Sequence, residues 1–388
     1  MNPVSTLNYF MPTRILAGKD SVYNERSFLA QLGQKALVVT GKKSARINGA
    51  YDDAVKALTA NGQDYVLYDR VMANPTDTCV YEAGALARKE GCDFVLAIGG
   101  GSPMDAAKAA AVLGIKDIPK EDLFGTSFTS ALPLAAVPTT AGTGSETTPY
   151  SVLVDTTGPD GKTPKEGGPA KRSIGSPLLF PRFAFLDAKY MAGLNRETTV
   201  NTAIDALSHA VEGFLSRRAN YVSDILAKES ICLIMDNVEP LLAFTVDSAA
   251  AVFPAEAREK LLLASAIAGM VIAQTGTALP HSMGYLFTIN WNTDHGRANG
   301  LLLKSFLFWC REREAAASIS PRIPELCAAL GMELEPFFAI LEKLLGQREK
   351  ASEAELQDWG SQPMKNGANT YIQPTQEEIL RIYRESVG

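Results

Sequence analysis

The first half of the chain alternates short apolar runs with longer amphipathic stretches. Apolar runs at 36–40, 65–68 and 94–98 predict strands, and the stretches at 50–61 and 76–90 have the spacing of helices. Strands separated by helices of this length pair in parallel through right-handed crossovers, so the pattern predicts a parallel α/β sheet. Ligands of such sheets bind at the carboxyl ends of the strands.

The second half has a different pattern. The turn-rich tract 155–175 predicts a hairpin or an excursion, and strand signals fade after Asp187, where helical spacing takes over. A chain of 388 residues also exceeds the size that one hydrophobic core usually serves, about 250–300 residues. We therefore predict a dinucleotide-binding α/β domain over residues 1–190 and an all-helical domain over residues 191–388.

One long stretch, residues 261–293, contains no Asp, Glu, Lys or Arg. Its continuous apolar part covers only 13 residues, 261–273, after which Gln274, Pro280 and His281 interrupt it. That length is too short for a membrane-spanning helix and is typical of a buried one. The pattern predicts a single central buried helix.

The composition excludes several classes of protein. With 46% hydrophobic and 21% charged residues the chain is typical of a globular protein, and a net charge of −6 gives no broad attraction to nucleic acid or to anionic membranes. Five scattered cysteines, none in a CxxC pair, argue against a disulfide framework and a thiolate metal site and suggest reduced core thiols. The opening residues show no secretion signal, so we expect a cytoplasmic protein.

The chain has only three histidines, and each lies in a segment poor in charge. His209 follows Asp205 by four residues, so a helix would place both on one face, and no Lys or Arg occurs between Arg196 and Arg217. A buried carboxylate without a cation is costly unless it is hydrogen-bonded or binds a metal. An ordinary Asp–His hydrogen bond is the simpler alternative.

The other two histidines favour the metal. His281 and His295 lie fourteen residues apart, at the predicted end of the uncharged helix and in the turn after it. With Asp205 and His209 they form a ligand set typical of a catalytic divalent site, and nitrogen and oxygen ligands without sulfur suit Fe(II) or Zn(II). Zinc generally binds such sites more tightly than iron, so the metal in a preparation can reflect supply.

Two loops follow predicted strands. The first contains Gly100 and Gly101, then Ser102 as a predicted N-cap, Pro103 as the first helical residue and Asp105 as a capping-box acid. Glycines beside a helix N-terminus predict a pyrophosphate site, against the alternative of a tight turn without a ligand. The second loop, residues 137–146, carries hydroxyls that could donate to phosphate or carboxamide, or could belong to an ordinary loop; they are Thr139, Thr140, Thr143 and Ser145.

The usual GxGxxG fingerprint is absent after the first predicted strand. Gly41, Lys42 and Lys43 follow that strand instead. In dinucleotide-binding folds an acid near this point selects NAD, whereas basic residues and free space accommodate the 2′-phosphate of NADP. The missing acid and the lysines favour NADP(H) over NAD(H). The alternative is that both lysines are merely solvated.

The segments GGGSPMDAAK, PTTAGTGSE, FLD, IDALSHAVE and HSMGY…DHGRANG occur in this order. Together they resemble the iron-containing (group III) alcohol dehydrogenase family, over about residues 7–386, with the pattern most similar to NADPH-dependent butanol and aldehyde dehydrogenases. The resemblance implies a metal held by Asp205, His209, His281 and His295, and a homodimer. It also implies a set of cofactor-facing residues: Asn74, Gly100, Gly101, Ser102, Thr139, Thr140, Thr148 and Lys171.

The resemblance has two departures, and both bear on function. Many relatives have a further histidine where this chain has Tyr285, so Tyr285 or water would carry the proton; Tyr150, Ile272 and Tyr285 match the substrate pocket. NAD-dependent relatives tend to have Asp where this chain has Gly41, in agreement with the preference for NADP(H).

The implied activity is hydride transfer between nicotinamide C4 and a small alcohol or aldehyde whose oxygen a divalent metal polarises. One alternative is a reductase of anionic carbonyl substrates, of the maleylacetate, hydroxyacid or phosphonate-aldehyde type. That reductase would need a cation near the metal, for which the metal segments offer only Arg297. The other alternative is a metal- and nucleotide-binding structural protein without turnover.

Overall fold

The computed structural model describes residues 7–158, 165, 168–244, 253–317, 321–362 and 364–388. They form two compact units: one comprises residues 11–140 and 144–193, and the other comprises residues up to 10, 141–143 and 194–388. We call the first the sheet unit and the second the helical unit. Division into independently folding domains at residue 190 stays a prediction.

The described residues of the sheet unit form eight strands. Six of them form one sheet in the order β1-β8-β5-β4-β2-β3, in which every pair is parallel, and β6 and β7 form a separate antiparallel hairpin. The strands are β1 (Arg14–Ala17), β2 (Lys35–Gly41), β3 (Asp64–Val71), β4 (Phe94–Gly99), β5 (Leu134–Pro138), β6 (Tyr150–Asp155), β7 (Ala170–Gly175) and β8 (Phe183–Leu186).

Short helices connect these strands. They are α1 (Ser21–Asn24), α2 (Ser27–Ala30), α3 (Ser44–Ile47), α4 (Ala50–Ala60), α5 (Asp77–Glu90), α6 (Gly101–Ile115) and α7 (Lys120–Phe124). The predicted strands and helices of the first half are confirmed within one to three residues at their ends. The tract 155–175 contributes the hairpin strand β7, and its residues 159–164, 166 and 167 lie outside the described residues.

Both faces of the sheet are covered, which explains the continuous apolar runs of its central strands. Leu37, Val39 and Val95 point to one face and pack in one apolar cluster with residues of α5 and α6. Val38 and Leu96 point to the other face and pack in a second cluster with residues of α4. The period of two in each strand thus divides the core of this unit into two layers.

The helical unit follows residue 193. Its helices are α8 (Arg196–Phe214), α9 (Tyr221–Met235), α10 (Val238–Ala243), α11 (Ala255–Thr275), α12 (Leu279–Asn290), α13 (His295–Ala317), α14 (Ile323–Leu330), α15 (Leu334–Leu345), α16 (Glu353–Ser361) and α17 (Gln376–Val387). A parallel-sheet unit followed by helices is the predicted fold class.

The prediction of one central helix in the uncharged stretch was wrong. Helix α11 ends at Thr275, and α12 begins at Leu279 with an axis bent by 111° from that of α11. Gly276 lies between them with φ +67°, and Pro280 occupies the first turn of α12, where its missing N–H costs nothing. The Asn369 amide donates to the carbonyls of Thr275 and Thr277 and so replaces hydrogen bonds lost at the break.

None of the helices in the described part of the chain has both the length and the apolarity of a membrane-spanning segment. The bent pair α11 and α12 meets that requirement only when the two helices are taken together. All five cysteines are free thiols, but the prediction that they lie in the core was wrong for two of them, because Cys79 is half-buried and Cys232 is exposed.

Candidate metal centre and cofactor loops

Helix α8 supplies the first two candidate ligands of the metal centre. The Asn195 side chain caps its N-terminus by accepting from the amide of Thr198, and fifteen of its nineteen residues are buried. Asp205 and His209 lie one turn apart and are 3% and 5% exposed, so the predicted burial of this face is confirmed. Burial lowers the pKa of His209 and outweighs the charge of Asp205, which keeps the imidazole neutral and able to ligate.

The other two histidines lie at the beginnings of helices, which differs from the sequence expectation. His281 is in the first turn of α12, directly after Pro280, and His295 is the first residue of α13. His295 comes near α8 because Gly296 follows it. A Cβ atom on Gly296 would lie 1.9 Å from the carbonyl oxygen of Asn201, so only glycine permits this approach.

Asp205, His209 and His281 converge. One ligand atom from each lies within 4.8 Å of the other two, and all three residues are buried. The rings of His209 and His281 are stacked with centroids 4.6 Å apart, and the ring of His295 meets that of His281 edge-on at 5.1 Å. Asp205, His209 and His281 thus come together inside the helical unit, whereas His295, the fourth predicted ligand, lies beside His281 but outside this group of three.

The histidine orientations suit a cation. His281 Nδ1 lies 2.5 Å from Oε1 of Glu212, and His209 Nδ1 lies 3.3 Å from the carbonyl oxygen of Gly142. Both acceptors place the proton on Nδ1 and leave the Nε2 lone pair available, the usual arrangement around a ligating imidazole. The buried lone pairs of two imidazoles and a carboxylate are suitable ligands for a divalent metal. Nitrogen and oxygen donors without sulfur favour iron or zinc.

Glu212 is a functional candidate that the sequence reasoning missed. Its side chain is fully buried and accepts from Ser208 Oγ at 2.6 Å and from the backbone amide of Ala278 at 2.8 Å, in addition to its contact with His281. Burial opposes its ionisation, but His281 and these donors together lower its pKa. The available signal was its position seven residues after Asp205, two turns along the same helix face.

Burial also opposes protonation of His281. The charge and the hydrogen bond of Glu212, with a further contribution from Asp205, nevertheless raise the pKa of its imidazole. Tyr285, one turn further along α12, stacks on the ring of His295 with centroids 5.4 Å apart. Ile272 is buried in α11 of the same unit, whereas Tyr150 begins β6 in the sheet unit.

The glycine loop follows β4 as predicted, but its capping differs. Helix α6 begins at Gly101 with Gly100 as its N-cap, and no side chain caps it. Ser102 therefore is not the N-cap; its hydroxyl accepts from the backbone amide of Asn74, a residue with φ +55°. Asp105 does not close a capping box, because its carboxylate accepts from Ser145 Oγ and from the amide of Val152.

The two loops lie side by side at the carboxyl ends of the adjacent strands β4 and β5. The amide of Thr139 donates to the carbonyl of Gly99 at 3.0 Å, and a Cβ atom on Gly100 would lie 2.9 Å from Oγ1 of Thr140. Gly41 ends β2, which neighbours β4, and Lys42 is exposed beside it. The sheet order therefore gathers Gly41, the glycine loop and Thr139 at one edge, as expected for a dinucleotide site.

Behind this edge lies a buried polar cluster that the sequence did not indicate. Nζ of Lys108, which is 0% exposed, donates to Ser145 Oγ at 2.8 Å, Thr148 Oγ1 at 3.2 Å and the carbonyl of Tyr150 at 2.7 Å. Burial lowers the pKa of Lys108 to about 8. Burial raises the pKa of Asp105 to about 6 and that of Glu146 to about 7. Lys171 lies on β7, partly exposed, and its charge acts on Asp105.

Comparison with known proteins agrees with this geometry. The family model described as iron-containing alcohol dehydrogenase matches residues 12–188, and the model of the C-terminal part of the Fe-containing alcohol dehydrogenase family matches residues 199–387. The chain belongs to the iron-containing alcohol dehydrogenase family. The predicted family and fold class are thereby confirmed.

Individual relatives are similar over most of the chain. The probable alcohol dehydrogenase EutG of Escherichia coli (strain K12) is 34% identical over 79% of this chain and 74% of its own. The 1,3-propanediol dehydrogenase of Citrobacter freundii is 35% identical over 77% and 72%. A solved iron-containing alcohol dehydrogenase from Thermotoga maritima superposes with a TM-score of 0.85 at 38% identity, covering 99% of this chain and 100% of that one.

These comparisons favour the enzyme over a structural protein without turnover. The chain is an oxidoreductase of the alcohol and aldehyde class that uses a metal and a nicotinamide dinucleotide. The site residues are the basis for inferring which dinucleotide, which metal and which substrate the protein uses.

Proposed function

We propose that the protein is an NADP(H)-preferring alcohol dehydrogenase or aldehyde reductase that acts on small aliphatic or aromatic substrates. Asp205, His209, His281 and His295 would hold Fe(II) or Zn(II). When bound, the ion would act as a Lewis acid on the substrate oxygen, and nicotinamide C4 would give or accept the hydride. The observation that carries the proposal is the convergence of Asp205, His209 and His281 within 4.8 Å.

The chain's own residues would orient the reactants. Glu212 and the carbonyl of Gly142 fix the tautomers of His281 and His209. The cofactor would lie along the edge formed by Asn74, the glycine loop, Thr139, Thr140, Thr148 and Lys171. Lys108 supports that edge from behind, because it holds Thr148 and Ser145 through hydrogen bonds.

We assign the proton transfer to Tyr285 or to water. Support comes from the stacking of Tyr285 on His295, which keeps the phenol ring beside a proposed ligand. Ile272 and Tyr285, both in the helical unit, would line the substrate pocket; the part of Tyr150 in it stays a prediction. Mostly apolar walls favour small uncharged aldehydes.

A reductase of anionic aldehydes is a second candidate, because a sulfoacetaldehyde reductase of Bilophila wadsworthia is 32% identical over 69% of this chain. Arg297 is the cation that such a substrate would need. Its guanidinium is already paired with Glu349 at 2.8 Å and donates to the carbonyls of Leu345 and Gln347. That engagement favours uncharged substrates.

A steady-state assay tests the proposal. Protein loaded with Fe(II) or Zn(II) should oxidise NADPH with butanal and lose this activity after chelation. The same preparation should reduce sulfoacetaldehyde and maleylacetate with lower kcat/KM. Absence of NADPH and NADH oxidation under every metal loading would refute the proposal, and a higher kcat/KM for an anionic substrate would favour the second candidate.

Gly41→Asp should shift the cofactor preference toward NADH. Gly41 has room for a side chain, because a Cβ atom there would lie 3.5 Å from the carbonyl of Val71 and 3.7 Å from Oγ of Ser44, which is ordinary contact. The new carboxylate would repel a 2′-phosphate and could accept from a ribose hydroxyl. We expect the NADPH to NADH ratio of kcat/KM to fall by about tenfold or more, equivalent to about 1.4 kcal/mol.

The matched control is Gly41→Asn, which has nearly the same shape without the charge and should change the ratio much less. The measurement is kcat/KM for both cofactors at fixed butanal. An unchanged ratio in Gly41→Asp would argue against a 2′-phosphate at this position. The homodimer and the cytoplasmic location stay predictions.

A further inference from the structure

Asn299 lies among the proposed metal ligands; it belongs to the segment DHGRANG, but the sequence analysis assigns it no role. Its side chain is 0% exposed, and Nδ2 lies 3.1 Å from Asp205 Oδ1, 3.1 Å from His281 Nε2 and 3.5 Å from His295 Nε2. One amide nitrogen thus reaches a ligand atom on each of three residues. An amide nitrogen carries two hydrogens, enough to donate to Asp205 Oδ1 and to His281 Nε2.

The contact with His281 uses the lone pair that a metal would need. Glu212 holds the proton on Nδ1 of His281, so Nε2 presents a single lone pair in the ring plane. That lone pair can accept from the Asn299 amide or coordinate a cation. It cannot do both at once.

The orientation of the amide is determined by its surroundings. Its neighbours on the ligand side are acceptors, which attract N–H and repel a carbonyl oxygen. On the other side, Oδ1 is buried and has no hydrogen-bond partner among the described residues. It packs against the backbone of α12 so closely that a Cβ atom on Gly284 would lie 2.6 Å from it. The helix therefore confines the amide with its hydrogens toward the ligands.

We propose that Asn299 is a positioning residue of the metal centre whose amide hydrogens compete with the cation for the Nε2 lone pair of His281. It donates to the ligand atoms when the cation leaves, which stabilises their buried arrangement, and it must be displaced when the cation returns. Asn299 thus lowers the metal affinity. It also reduces the difference in the free energy of unfolding between the metal-free and the metal-loaded protein. This inference rests on the ligand set in the proposed function.

The test is Asn299→Leu, which keeps the side-chain size and removes the donor. The Zn(II) dissociation constant, measured by competition with a chromogenic chelator, should fall by about tenfold, because about one net hydrogen bond no longer opposes binding. The chelator-treated variant should unfold at a temperature about 2–4 °C below that of the chelator-treated parent. The rise in this temperature on adding Zn(II) should therefore be larger in the variant.

Asn237→Leu is the matched control, because Asn237 is also buried and its amide donates to the backbone carbonyl of Leu233 at 2.7 Å. It should lower the unfolding temperature and leave the Zn(II) dissociation constant unchanged. If leucine at 299 prevents folding, Asn299→Val lacks the donor in a smaller side chain and should show the same tighter binding. Unchanged or weaker Zn(II) binding by the variant that folds would overturn the role of Asn299, whereas a parent that binds no Zn(II) would overturn the ligand set itself.

Discussion

His281→Ala should yield folded protein without stoichiometric metal and with kcat/KM for butanal reduced by more than about 100-fold. Loss of a residue that only supports a ligand typically costs about 10–100-fold in metal affinity, so loss of a ligand itself should cost more. The substitution also leaves Glu212 buried without its imidazole partner. Elemental analysis of the purified protein gives the metal content, and the butanal assay gives the rate.

Tyr285→Phe is the control for His281→Ala. Tyr285 lies one turn further along α12 than His281, and phenylalanine keeps the aromatic ring that stacks on His295. This variant should retain one metal per chain, whatever its activity. Retention of full metal by His281→Ala would remove His281 from the ligand set.

Lys108→Met should destabilise the protein by about 1–3 kcal/mol, the usual cost of leaving buried polar groups without a hydrogen-bond partner. Methionine fills similar space but leaves Ser145 Oγ, Thr148 Oγ1 and the carbonyl of Tyr150 without the Nζ donor. Asp105 and Glu146 would also lose the cation that lowers their pKa values. Urea unfolding at pH 7 measures the free energy, and the KM for NADPH should rise because the loop is less firmly held.

Lys116→Met provides the comparison, because Lys116 is exposed at the C-cap of the same helix α6. Exposed substitutions of this kind usually change stability by less than about 0.5 kcal/mol. Equal stability of the two methionine variants would show that the buried ammonium contributes nothing to the loop.

The local patterns were sufficient to locate β2, β3 and β4 of the sheet unit. Strands β2 and β4 are buried on both faces, and their continuous apolar runs make them easy to locate between amphipathic helices. The capping of α6 was predicted incorrectly because it depends on residues distant in sequence. The backbone amide of Asn74 donates to the Ser102 hydroxyl. Ser145 Oγ and the amide of Val152 donate to the Asp105 carboxylate.

The helical unit shows the same distinction in its uncharged stretch. A run without charged residues indicates burial, which is correct for α11 and α12. Such a run does not indicate where one helix ends or in which direction the next one continues. The bend of 111° depends on Gly276 and on Asn369, a residue nearly a hundred positions away that satisfies the carbonyls at the break. Sequence spacing alone therefore predicted one helix where two are present.

The sequence by itself indicated the residue types of the proposed metal centre, because all three histidines and Asp205 lie in segments poor in charge. It also determined the order of strands and helices in the first half of the chain, and the family. Only the tertiary structure decided which lone pairs face inward, through Glu212, Gly142 and Asn299. The physical reason is that an imidazole's tautomer and direction depend on partners brought by other helices, and no local pattern records those contacts.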